Sequence, residues 1–215
     1  MIVLALDTTA VTASVALTDD KKLIGLYTLN TKLTHSETML PMIENLLMNA
    51  KMKISDVDMF ACSSGPGSFT GVRIGISIVK GLAFGKNKKC AGVSTLEALS
   101  YNLKGFDGIV CPVMDARRSQ IYNALFYKDE RLCGDRLITL DALQEDLKKY
   151  DKEIYFTGDG YKLITFNKTH TPELLRYQNA YSVAVCALDK GAFTTDEDIK
   201  PVYLRASQAE REKNK

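Results

Sequence analysis

Two stretches of the sequence have the residue types and spacing to meet a phosphate. In "LALDTTA" (residues 4–10) an apolar run ends on Asp7, Thr8 and Thr9, a carboxylate and two hydroxyls in consecutive positions. Such a turn can face a phosphate or a magnesium-bound water, but Asp and Thr also cap their own backbone in turns. "DTTAVTA" has none of the glycines that let a backbone wrap a phosphate, which favours the self-capped turn. In "SSGPGSFTGVRIG" (residues 63–75), Gly65 and Gly67 precede a helical run. Amide groups at a helix N-terminus attract anions, while glycines there also permit a tight strand-to-helix connection and close helix approach. The stretch matches neither G-x-x-x-x-G-K-[ST] nor G-x-S-x-G, and the packing reading is preferred. Asp7, Thr8, Thr9, Gly65 and Gly67 are the candidate cofactor-binding residues.

Other chemistry is harder to assemble. The only histidines are His35 and His170, so no pair at helical spacing exists to hold a catalytic metal. His35 reads as a capping or solvated residue before a helix. The five cysteines stand at wide, irregular spacings without C-x-x-C, which argues for reduced, mostly buried thiols rather than disulfides or zinc. No nucleophile–base set is evident. No catalytic residue, no metal ligand and no tightly bound cofactor are expected. Arg117 and Arg118 in "DARRSQ" could meet RNA phosphate, an acidic partner, or only solvent.

Composition narrows the partners. The chain has 215 residues, 46% hydrophobic and 25% charged, with a net charge of +2. That balance is far from the basic excess of a nucleic-acid-binding domain, so any RNA role is expected to be indirect or shared with a partner. No run approaches the ~18 apolar residues of a membrane span. "MIVLALDTTA" lacks the basic n-region of a signal peptide. A cytoplasmic protein is expected.

The elements that must position these residues are legible as periodicities. A buried run at 2–6, an alternating strand near 11–18 and a third near 23–29 read as a meander. A helix from about 36 to 50 follows, with Pro41 in its early part, then a short strand through "VDMFACSS" and a helix over 71–86. The second half repeats the opening: an apolar strand to Asp115, an alternating strand at 120–127, a charged turn including Asp129 and a third strand, which points to duplication. A short helix is expected at 181–193 and a charged tail at the end. At about 100° per residue, Val72, Ile76, Val79 and Ala83 form one apolar stripe of helix 71–86, and Ile74, Ile78 and Leu82 a second. In helix 36–50, Met39, Ile43, Leu46 and Ala50 form a core stripe while Met42 and Met48 are read as pointing elsewhere. Apolar surface this broad is read as an interface, with Met39, Met42, Leu46, Val72, Ile74, Ile78 and Leu82 as its candidates. The expected lobes are residues 1–103, carrying these helices, and a smaller 104–215 whose C-terminal segment packs back on the first.

The stretches "LALDTT", "GPGSFTGVRIG", "MDARRSQIY" and "PVYLRASQAE", with "HSETMLP" and "TGDG" between them, occur in an order that resembles the TsaB (YeaZ) family. The resemblance spans nearly the whole chain. It implies an α/β, actin-like (hexokinase, actin) ATPase-type fold: two related lobes with mixed sheets flanked by helices. It also implies a non-catalytic paralogue of TsaD, needed with TsaD and the ATPase TsaE to transfer a threonylcarbamoyl group to adenosine 37 of tRNAs reading codons that begin with A. The implied partners are a second copy, TsaD and TsaE, with ATP or ADP at the boundary with TsaD. TsaD holds a metal with a histidine pair; aligned on Glu97, those positions carry Thr95 and Leu99 here, poor donors both. The competing reading is an enzyme acting alone, as an actin-like ATPase or a metallopeptidase.

Overall fold

The computed structural model describes residues 1–31, 33–128, 130–166 and 171–205. Asp129, His170 and the charged tail beyond 205 therefore lie outside the described residues. The chain opens with the meander β1 (Ile2–Asp7), β2 (Ala13–Asp19) and β3 (Lys22–Leu29). Then come α1 (His35–Asn49), β4 (Met59–Gly65), α2 (Phe69–Ala83), β5 (Lys89–Ser94) and α3 (Thr95–Tyr101). The second half holds β6 (Ile109–Asp115), β7 (Gln120–Tyr127), β8 (Glu130–Thr139), α4 (Leu140–Leu147), β9 (Ile154–Thr157) and α5 (Ala180–Lys190).

The strands form two mixed sheets, ordered β3-β2-β1-β4-β5 and β8-β7-β6-β9. In each, the first strand pairs antiparallel with the second and parallel with a strand reached by a crossover: β1 with β2 and β4, β6 with β7 and β9. The repeated strand plan is that of the actin-like α/β fold. β1 reads as an uninterrupted apolar run because it is covered on both faces. Leu4, Leu6, Leu17 and Phe60 face α1 and α2; Val3, Ala5, Ala16, Met59 and Ala61 face α5. Alanines on both sides of the second layer, including Ala180, Ala184 and Ala187, let α5 lie close on the first sheet. α3 stands between the lobes, with Ala98 in the α5 layer and Leu96 and Leu99 packed on the second sheet.

Local signals set the helix ends. Glu37 accepts from both the amide (3.3 Å) and the hydroxyl (2.7 Å) of Thr34 at the start of α1. α1 then runs through Pro41, which lies on its exposed side. α2 stops at Ala83, short of the expected 86, because Gly85 adopts a left-handed φ of 68°. Gly191 in the same conformation ends α5.

Four of the seven interface candidates need correction. Met39, Met42, Leu46 and Val72 are at most 6% exposed and belong to the core under the first sheet. Met42 follows Met39 by three positions, so it shares the sheet-facing side with Met39, Ile43 and Leu46 rather than pointing away. Ile74, Ile78 and Leu82 are half-buried, with Ile78 and Leu82 resting on the rim of that core. Phe84, just past the end of α2, is 77% exposed, and Met48 of α1 66%.

Candidate functional site

The two lobes enclose a cleft of about 520 Å³. One wall is the β1–β2 turn at Thr9–Val11 with the residues entering α2; the other is the β6–β7 turn with Asp159; residues 202–205 complete the lining. Of the five candidate cofactor-binding residues, Thr9 and Gly67 line it, whereas Asp7, Thr8 and Gly65 do not.

Asp7 is buried and its carboxylate is fully engaged within the chain. Oδ1 accepts from the Thr9 amide (2.8 Å) and the Thr9 hydroxyl (2.7 Å), and Oδ2 accepts from the Ser63 hydroxyl (2.5 Å). Burial pushes the carboxyl above its usual range, partly offset by those donors and by nearby His35. Thr8 is spent as well, its hydroxyl donating to the Gly71 carbonyl at 2.7 Å. His35, read above as capping or solvated, instead places Nε2 2.6 Å from the Ala10 carbonyl oxygen, so α1 pins the far end of the turn.

The glycines of α2 explain how the helix reaches this turn. A Cβ on Gly67 would stand 2.6 Å from the Thr9 carbonyl oxygen, and one on Gly75 2.6 Å from the Thr8 hydroxyl oxygen. A Cβ on Gly71 would overlap the Thr8 carbonyl oxygen and come within 3.1 Å of its carbon. Three glycines thus seat the first turns of α2 directly on Thr8 and Thr9, and the Ser68 amide donates to the Thr9 carbonyl at 2.7 Å. The spacing serves close packing inside the chain, with Asp7–Thr9 as the surface packed against.

Across the cleft, Asp115 accepts the Arg117 amide at 2.6 Å, the second lobe's counterpart of the Asp7–Thr9 bond. Asp159 sits behind it. Burial, with Asp115 adding repulsion, raises its carboxyl to about 6. Asp159, and the Tyr203 and Arg205 side chains at the mouth, carried no signal beyond their place in the family pattern. Arg117 and Arg118 are exposed.

A family model described as "TsaD: tRNA N6-adenosine threonylcarbamoyltransferase" matches residues 12–200. The tRNA threonylcarbamoyladenosine biosynthesis protein TsaB of Escherichia coli (strain K12) is 37% identical to the chain, covering 97% of it and 96% of its own length. The chain belongs to the TsaB (YeaZ) family. The TsaB of Buchnera aphidicola subsp. Schizaphis graminum is 34% identical over 94% of the chain and 97% of its own length. A solved structure of YeaZ from Pseudomonas aeruginosa superposes with a TM-score of 0.77 at 25% identity, covering 94% of the chain and 99% of that one. The two positions where the TsaD paralogue would carry metal-binding histidines do not fit a metal in this TsaB-family chain. Thr95 and Leu99 are 0% and 1% exposed and stand at the beginning of α3 and one turn later, where Leu99 offers no lone pair. No helix among the described residues is long and apolar enough to cross a membrane.

Proposed function

We propose that the chain is a cytoplasmic, non-catalytic subunit of tRNA threonylcarbamoyladenosine biosynthesis. It acts with TsaD and the ATPase TsaE in transferring the threonylcarbamoyl group to adenosine 37, and meets tRNA only within that complex. The observation that carries this reading is the closed Asp7 turn. A carboxylate that accepts three hydrogen bonds from its own chain, lies outside the cleft lining and is backed by a helix seated on Thr8 and Thr9 is committed to holding this turn rather than presented to a magnesium ion. With Thr95 and Leu99 at the metal positions, the residues for threonylcarbamoyl transfer are supplied by TsaD, and ATP or ADP binds at the boundary with it. The homodimer and the TsaD heterodimer use one surface, the outer face of α2 from Ile74 through Ile78 and Leu82 to Phe84, with Met48 of α1 beside it.

The test is reconstitution of tRNA modification from the purified chain, TsaD and TsaE, supplied with unmodified tRNA, ATP and the threonylcarbamoyl-adenylate donor, comparing wild type with Ile78→Arg and Phe84→Asp. A charge on this face has to be desolvated on association, which costs several kcal/mol against an interface of ordinary size, roughly 1,600 Å². Both variants are expected to elute as monomers and to lose modification activity. Phe84 is 77% exposed, so its replacement leaves folding intact where Ile78→Arg disturbs the core rim. Full modification without the chain refutes the functional reading. Full modification with a monomeric Phe84→Asp chain refutes the shared surface.

A further inference from the structure

Residues 202–205 line the cleft and are tied to both of its walls. On the first lobe, the Val202 amide donates to the Ser64 carbonyl at 2.8 Å. Gly65, at φ 115°, makes room for this approach: a Cβ there would overlap the Val202 carbonyl oxygen and stand 3.3 Å from its carbon. The Tyr203 ring stacks on Phe69 with centroids 4.5 Å apart. Arg73 closes the group, its guanidinium 3.9 Å from the Phe69 centroid and its Nε donating to the Tyr203 hydroxyl at 2.9 Å.

On the second lobe, Arg205 donates from Nη1 to the Ala116 carbonyl at 2.6 Å and from Nη2 to Oε1 of Gln120. The turn it grips is unusual. Arg117, Arg118 and Ser119 have φ of 61°, 55° and 58°, three consecutive left-handed residues none of which is glycine. L-residues rarely adopt this conformation even singly, and it persists only where surrounding contacts over-determine it. Inside the turn the Gln120 amide reaches the Arg117 carbonyl at 3.2 Å and the Ala116 amide reaches the Gln120 carbonyl at 3.0 Å. Arg205 adds the tie from outside, at both ends of the turn.

We propose that residues 201–205 form a clasp across the inter-lobe cleft. Anchored on the first lobe by Tyr203, the clasp holds the left-handed 117–119 turn of the second lobe through Arg205. The cleft is then closed on this side by the chain itself, and a molecule entering there has to displace residues 202–205. Val202 and Tyr203 remain 49% and 38% exposed, so the segment is fastened at its ends by directional contacts rather than buried, and it can be released without unfolding either lobe.

The proposal is tested on the full chain by amide hydrogen exchange in wild type, Tyr203→Ala, Tyr203→Phe and Arg205→Ala. Tyr203 touches the first lobe, yet a clasp transmits its loss to the second. Tyr203→Ala is expected to speed exchange of the Ala116 and Gln120 amides about tenfold or more, with faster tryptic cleavage after Arg117 and Arg118. Tyr203→Phe keeps the stack and is expected to stay near wild type at both amides. If Tyr203→Ala speeds exchange at Val202 alone and leaves residues 116–120 unchanged, the clasp is refuted. Should Tyr203→Ala fail to fold, Arg205→Ala reads the same coupling in reverse at the Val202 amide, where unchanged exchange refutes it equally.

Discussion

The role assigned to the α2 glycines predicts opposite outcomes for two identical substitutions in one helix. At Gly81 a Cβ meets nothing within 4 Å, so Gly81→Ala gains the helix-propensity difference of about 1 kcal/mol. At Gly71 a Cβ would lie 3.1 Å from the Thr8 carbonyl carbon and closer still to its oxygen, both backbone atoms that cannot rotate away. The helix has to withdraw from the turn. Overpacking of this kind costs about 1–3 kcal/mol, and the withdrawal strains the Thr8 hydroxyl bond to the Gly71 carbonyl, worth about 1 kcal/mol. After the propensity gain, Gly71→Ala is left about 1–3 kcal/mol less stable. For a chain of this length 1 kcal/mol shifts the melting temperature by about 2–4 °C. Thermal unfolding followed by circular dichroism should therefore show Gly71→Ala roughly 2–12 °C below wild type and Gly81→Ala about 2–4 °C above it. A Gly71→Ala protein melting at or above wild type would mean that α2 does not rest on the Asp7–Thr9 turn, and the packing account of these glycines would fall.

Two further outcomes follow from Asp159 and Asp7. The Asp159 carboxyl is raised from 3.8 to about 6, chiefly by burial. Between about pH 4 and 6 the folded chain therefore holds more protons than the unfolded one, so this group's contribution to stability falls as pH rises through that window and is level above it. Asp159→Asn should remove up to about 3 kcal/mol of that decline; urea midpoints at pH 4 and pH 7 that differ as much in the variant as in wild type would contradict this. Asp7→Asn retains an acceptor for Thr9 and places an amide opposite the Ser63 hydroxyl, so it should fold, and the negligible ATP hydrolysis expected of the wild-type chain alone should not change. Robust steady-state hydrolysis abolished by this substitution would restore the stand-alone ATPase reading.

The opening meander was legible because burial on both faces leaves continuous apolar runs such as Val3–Leu6, whereas β2, read as alternating, is buried along nearly its whole length, and the helices α3 and α4 were not read from the sequence. Those patterns are local. What stayed hidden were contacts between distant segments. The glycine spacing of α2 showed that something approaches closely, but nothing near residue 71 says that the neighbour is Thr8. Broad apolar faces on α1 and α2 were read as external surface, although the first sheet is wide enough to cover both helices, and Met42 is consumed there. Tyr203 and Arg205 stand in a short stretch without periodicity. Their partners Phe69, Arg73, Ala116 and Gln120 become visible only once both lobes are in place.

These hidden contacts share a consequence for function. In a two-lobed cleft, the turns after the first strand of each lobe are the places where a ligand's phosphates would be met. Here the first turn follows a carboxylate that accepts three hydrogen bonds from Thr9 and Ser63, and it is backed by α2. The second is a left-handed turn whose Ala116 carbonyl and Gln120 side chain are taken by Arg205. These bonds are made within the chain's own architecture, and in our functional reading the lobes act as a fixed body. A fixed body is suited to presenting a surface. Ile74, Ile78 and Leu82 stand on the outer side of the helix whose inner side is locked by glycines to the Asp7 turn, so the packing that closes the cleft also fixes the face on which our functional reading rests.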